Sequence, residues 1–204
     1  MMGKTHIAVG VASAMLITQP KTKMEFVAAV VGGAVGGVMS DIDVKIDCSN
    51  KFAKKASLDA LYGEIAALVI AVGALLADCF ISSCFIIHRI TNNFPFSVIG
   101  IGALVVLIIL GERSTHRDWT HSLIAMILFS VATCLIDIPI GLAFSVGFAS
   151  HLIIDLLNKS PERLFFPAKK GICLKVCYAD RLGNELLFAV GAGVAVFYTL
   201  LFLN

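Results

Sequence analysis

Four of the five histidines in this sequence, together with a few aspartates, are the residues best able to do chemistry. His6 follows Thr5. Asp41 and Asp43 lie in Ser40-Asp41-Ile42-Asp43. His116 and His121 bracket His116-Arg117-Asp118-Trp119-Thr120-His121-Ser122, and His151 and Asp155 form His151-x-x-x-Asp155. Imidazole nitrogens and carboxylate oxygens suit zinc, iron, manganese and similar divalent ions. His151 and Asp155 stand at i and i+4, about 40° apart on one helix face. That spacing places two ligands on one ion, or a ligand beside its hydrogen-bonding partner. Asp41 and Asp43 offer two carboxylates at a helix end. His116 and His121, five apart, share no ideal face, so His116 is expected in a loop that folds back. An ion held among these groups would polarise a substrate oxygen and acidify water.

The elements that position these groups are apolar. The chain has 204 residues, 58% hydrophobic and only 15% charged, with a mean hydropathy of +0.92. A soluble domain averages roughly 25% charged residues, so too little polar surface remains here to cover a water-soluble globule. The expectation is one integral membrane domain over residues 1–204, an all-α polytopic bundle. A bilayer core needs about 20 apolar helical residues. Seven segments qualify or come close: about Thr5–Thr18, Met24–Ser40, a stretch within Leu58–Ile87, Phe96–Leu110, Trp119–Ile136, Pro139–Leu157 and Glu185–Leu203. The first two are short, and a re-entrant hairpin packed against protein is the alternative to full spans. Glycines 32, 33, 36 and 37 favour close helix packing. No cleavable signal peptide is evident, so the first segment is read as part of the mature protein.

Counting crossings places the N-terminus and the loops 41–57, 111–118 and 158–184 on one side. Of the 16 Lys and Arg residues, only Lys21, Lys23 and Arg89 fall on the other side. Positive charge collects in the cytoplasm, so the crowded side is expected to face it. Every His and Asp cluster, and Glu185, also falls on that side. A net charge of +2 gives no reason to expect a nucleic-acid partner. The reducing cytosol argues against structural disulfides in these loops. Cys173 and Cys177, four apart, are a weak metal or redox pair.

Each group also has an ordinary reading. A lone interfacial histidine is usually solvated or capping. His151 and Asp155 could be an interhelical pair, Asp41 and Asp43 loop acids, and Thr120 a helix cap. Asp78 could be buried and paired or mark a helix break, and His88 is interfacial. The basic loop from Lys159 to Arg181, with Leu164-Phe165-Phe166-Pro167, could rest on anionic lipid. Convergence of the clusters on one face favours a metal site.

Taken in order, Thr5-His6, Ser40-Asp41-Ile42-Asp43, His116-Arg117-x-x-Thr120-His121-Ser122 and His151-x-x-x-Asp155 resemble the YdjM-type membrane-bound metal-dependent hydrolases, described as LexA-regulated inner-membrane proteins. The resemblance runs over almost the whole chain, and the His-Arg-x-x-Thr-His-Ser element is its most specific part. The family's second motif is Pro-Asp-x-Asp-His; here Ser40 replaces the proline and Val44 the histidine. The family is in turn distantly similar to zinc-dependent phospholipase C and single-strand nucleases. That similarity implies phosphoester hydrolysis, by fold-level analogy.

The expectation is a metal-dependent hydrolase in the inner membrane, with its site facing the cytoplasm. His6, Asp41, Asp43, His116, His121, His151 and Asp155 would be ligands or their immediate partners. Asp43 or Asp155 would act as general base toward water, and Arg117 would steady an anionic group with its planar fork. Zinc is the expected ion, with manganese or iron as alternatives. A phosphoester of a lipid or lipid-linked molecule is the expected substrate, because the site lies at headgroup depth. The competing readings are an ion or proton transporter and a non-catalytic stress protein with a structural metal. Glu185 is a peripheral candidate.

Overall fold

The computed structural model describes residues 2–81, 84–176 and 182–203. Cys177 and Arg181 lie outside the described residues, so the Cys173–Cys177 pairing has no structural counterpart here. The described residues are helical apart from turns, loops and one isolated antiparallel bridge between Glu162 and Ile172. The helices are α1 (Gly3–Thr18), α2 (Lys23–Val38), α3 (Lys51–Ile81), α4 (Phe85–Asn92), α5 (Phe96–Glu112), α6 (Leu123–Ile136), α7 (Ile138–Leu156) and α8 (Leu182–Leu203). Short 3-10 turns at Met39–Asp43 and Trp119–His121 carry Asp41, Asp43 and His121.

Local chemistry sets the boundaries. Gln19, at φ 45, takes the left-handed conformation that ends α1. Thr22 and Glu25 form a reciprocal capping box at the start of α2. Ser122 and Asp137 accept from backbone N–H groups in the first turns of α6 and α7. The cap of α6 is therefore Ser122, and Thr120 is free for other work. Asp78 marks a helix break: its Oδ2 accepts from the Ile86 N–H at 2.7 Å where α4 begins. The third apolar stretch is thus α3 plus a separate α4, and α3 starts seven residues earlier than its hydropathy alone indicates.

Among the described residues, fewer than the expected seven segments are long enough to span alone. Lys23–Asp43, Ala53–Phe80, Ile138–Leu156 and Leu182–Leu203 are long and apolar enough to cross a membrane. α4 and α5 make a fifth only if counted together, and they bend by 97° at their junction. α1, with 16 residues, and α6, with 14, fall short. At 1.5 Å per residue they reach about 24 and 21 Å, against a core of about 30 Å. Hydropathy marks them as apolar; length keeps them from spanning alone.

α1 is the central element, packed against α2, α7, α8 and α3. Small residues make this possible. A Cβ at Gly37 would lie 2.5 Å from the carbonyl oxygen of His6, and one at Gly33 would lie 2.7 Å from that of Gly10. α2 therefore touches α1 backbone to backbone. Large apolar side chains such as Leu68 and Val69 on α3, Val106 on α5 and Leu201 on α8 stay exposed, as lipid-facing surfaces require.

Candidate metal centre

The end of the bundle that holds the start of α1 gathers every predicted ligand. His6, Asp41, Asp43, His121, His151 and Asp155 are buried there, and His116 is half-exposed above them. His6 comes from the second turn of α1, Asp41 and Asp43 from the turn ending α2, and His151 and Asp155 from the last turns of α7. Four overlapping triads have ligand atoms within 4.8 Å of one another: His6-His151-Asp155, Asp41-His121-His151, Asp43-His116-His121 and His121-Asp155-Glu162. They share members, so the cluster is one continuous array. The rings of His6 on α1 and His151 on α7 stack at 3.8 Å, both helices lying close against the glycine-rich α2.

Hydrogen bonds fix which histidine nitrogens face inward. Nδ1–H of His151 donates to the Gly37 carbonyl at 2.7 Å, which leaves Nε2 a bare lone pair. The Thr120 hydroxyl donates to Asp43 and accepts from Nδ1–H of His121, which leaves Nε2 of His121 to face Asp41. His116 donates from Nδ1 to Asp43 at 2.8 Å. Ring nitrogens steered by a carbonyl, hydroxyl or carboxylate on their far side are the arrangement found behind metal-bound histidine. Nε2 of His6, His121 and His151 is buried without a hydrogen-bond partner among the described residues. His121 Nε2 lies 3.5 Å and His151 Nε2 3.7 Å from Asp41 Oδ1, and His6 Nε2 lies 3.2 Å from Asp155 Oδ1. Unpaired buried polar atoms are costly, and three converging beside carboxylates fit a divalent cation.

Arg117 braces the array. Its backbone sits at φ 66, in the left-handed region, at a cost of order 1–3 kcal/mol for such a residue. That conformation turns its N–H onto Asp43 Oδ2 at 3.0 Å and its guanidinium onto Asp155 Oδ2 at 2.6 Å and the Ser160 carbonyl at 2.9 Å. Much of the planar fork is therefore engaged by the protein itself.

Glu162 joins the array without having been singled out by its sequence context. It is fully buried, with Oε1 3.6 Å from the Arg117 guanidinium, and neither carboxylate oxygen is hydrogen-bonded among the described residues. It sits in a polar loop with no periodicity and reaches the cluster only through its bridge to Ile172, a pairing with no local signal. Glu185 instead pairs with exposed Lys4 at 2.9 Å and stands outside the cluster. Its neighbour Asn184 is the buried one, accepting from the Met2 N–H at 3.0 Å and the Thr5 hydroxyl at 2.9 Å. With Asp59, which accepts from the Gly3 N–H, it fixes the start of α1 and hence His6.

Burial, reinforced by the charge of Asp155, pushes the Glu162 carboxyl up to about 8 from its ordinary 4.5. Across that interval the folded, metal-free protein holds a proton that the unfolded chain releases, so stability falls as pH rises through it. Glu162→Gln keeps a neutral side chain and should flatten this part of the slope in thermal midpoints of chelator-treated protein. An unchanged slope would remove Glu162 from the account.

A cavity of about 820 Å³ opens onto the array. Asp41, Asp43, Asp155, His116 and Arg117 form one wall, and the first turns of α3 form the other. Val44, where the resembling motif has histidine, also lines it. The opposite end of the bundle carries a closed Arg89–Asp137 ion pair at 2.8 Å.

Comparison with known proteins gives a family-level match. The family model described as YdjM inner membrane protein matches residues 1–203. "Uncharacterized protein YvsG" of Bacillus subtilis (strain 168) is 32% identical over 130 residues, 63% of this chain and 73% of that protein. No solved structure matches.

Proposed function

We propose that this chain, which belongs to the YdjM inner membrane protein family, is a membrane-bound metal-dependent hydrolase acting on a phosphoester or lipid-type substrate. The observation that carries the reading is the two triads His6-His151-Asp155 and Asp41-His121-His151, whose buried histidine Nε2 atoms have no hydrogen bond among the described residues and face carboxylates. A divalent ion held there, zinc in the first instance and manganese or iron otherwise, supplies Lewis acidity. The residues divide the remaining work. Asp43 has both oxygens fixed by His116, Thr120 and the Arg117 N–H, a placement that orients histidines more than it takes protons. Asp155 is then the general base, with Oδ2 held by Arg117 and Oδ1 turned toward His6. His116, half-exposed at the cavity mouth, meets the substrate first.

The concentration of Lys and Arg in loops at this end supports a cytoplasmic orientation for it. Transport is the weaker reading, since the His and Asp groups gather at one end and the far end offers the Arg89–Asp137 ion pair in place of a matching set. The test is elemental analysis of detergent-purified protein alongside hydrolysis of bis(p-nitrophenyl) phosphate. Near-stoichiometric metal, and activity lost to chelator and restored by zinc, is the expected result. Protein that takes up no metal after reconstitution defeats the reading.

A further inference from the structure

We infer that the substrate of this centre is a bilayer lipid with an anionic, phosphate-bearing head, held as an amphiphile between the ligand wall of the cavity and the alanine face of α3. The inference rests on the hydrolase reading above and names its substrate. Ala53, Ala56, Ser57 and Ala60 line the cavity opposite Asp155 and Arg117. Their spacing of i, i+3, i+4 and i+7 makes them one helical face. No side chain on that face extends beyond Cβ or a hydroxyl, so it is a flat, mostly apolar slab directly facing a charged wall. The same residues open the Ala53–Phe80 segment, which is long and apolar enough to cross the bilayer. The cavity therefore lies where headgroups meet acyl chains. A water-soluble phosphoester has no use for a slab of this kind, whereas a lipid places its first tail carbons on it.

Charge agrees with the assignment. Asp41, Asp43 and Asp155 are the inner carboxylates of the cavity, and Lys45, Asp47 and Lys159 line it as well. Lys45 is exposed, one residue beyond Val44. With an ion offsetting the inner carboxylates, the two lysines outnumber Asp47 among the outer lining residues, a balance that favours anionic over zwitterionic heads.

The experiment uses zinc-loaded, detergent-purified full chain and two readouts. Native mass spectrometry compares retention of phosphatidylglycerol with that of phosphatidylethanolamine, and turnover compares phosphatidylglycerol with bis(p-nitrophenyl) phosphate. Ala56→Phe fills the slab from a position exposed to the cavity, so the fold has no reason to fail. It should cut lipid retention and lipid turnover about tenfold or more, as misfit in an apolar pocket does, and spare the soluble diester. Lys45→Ala should weaken phosphatidylglycerol retention about fivefold, the worth of one basic group near an anionic surface, and leave phosphatidylethanolamine unchanged. Inorganic phosphate that displaces no lipid leaves the inference standing; retention of phosphate alone, with no lipid bound, overturns it. Equal loss of both substrates in Ala56→Phe also overturns it, while the hydrolase reading survives. Absence of turnover for either substrate together with absence of metal marks failure of the hydrolase reading, and this inference falls with it.

Discussion

If the cluster holds an ion as proposed, His151→Ala is expected to purify without metal. The imidazole is fully buried, its Nδ1–H is satisfied by the Gly37 carbonyl, and its bare Nε2 belongs to both the Asp41-His121-His151 and His6-His151-Asp155 triads. No other described residue serves both of these triads. Loss of a partner behind a ligand typically costs 10–100-fold in metal affinity, so loss of a ligand shared by two triads should exceed about 100-fold. Elemental analysis of wild type and mutant at equal protein concentration reads this directly. Thermal midpoints provide a second reading: zinc should raise that of wild type, because a ligand bound only by the folded state stabilises it by mass action, and should leave the mutant unmoved. Full metal content in His151→Ala would show that the convergence of these histidines is a packing arrangement and nothing more.

Gly37→Ala should empty the same centre without touching a ligand. The added Cβ would lie 2.5 Å from the His6 carbonyl oxygen and 3.1 Å from its carbon. Both atoms are backbone, so the strain is relieved only by moving α1 away from α2. Overpacking of this kind costs about 1–3 kcal/mol. The displacement also breaks the 3.8 Å stack of His6 on His151 and disturbs the carbonyl that orients His151. Lowered metal content together with a lowered midpoint is the expected pair of results. Gly102→Ala on α5 is the control: nothing lies within 4 Å of its added Cβ, and losing a mid-helix glycine should stabilise by roughly 0.5–1 kcal/mol. A loaded, stable Gly37→Ala protein would mean that α1 and α2 slide past one another without consequence.

Much of the centre is legible in the sequence because each ligand stands at the boundary of an apolar segment. Counting boundaries puts His6, Asp41, His121 and His151 at one end of any helical bundle, whatever its detailed packing. The His151-x-x-x-Asp155 spacing needs only helix geometry. Glu162 is hidden because a non-local bridge to Ile172 brings it in, and nothing in Ser160-Pro161-Glu162-Arg163 announces that pairing. Glu185 and Asn184 exchange the expected importance, since hydropathy dates the start of α8 but not which side of it faces α1. The span count misses for a related reason. α1 is apolar because helices surround it, and a hydropathy window reads protein and lipid surroundings alike. Arg117 lies against Asp43 and Asp155, but the left-handed backbone that aims its groups there has no signature in the residue type.

The clamp on α1 has a bearing on biosynthesis. Asn184, at the head of α8, holds Met2 and Thr5 and so aims His6. Of the described helices, α1 leaves the ribosome first and α8 last. Asp59 on α3 holds Gly3 before α8 is made, but the Asn184 bonds to Met2 and Thr5 wait for that last helix. The full set of contacts that aims His6 is therefore complete only once α8 has joined the bundle, so its geometry depends on the helix that is synthesised last.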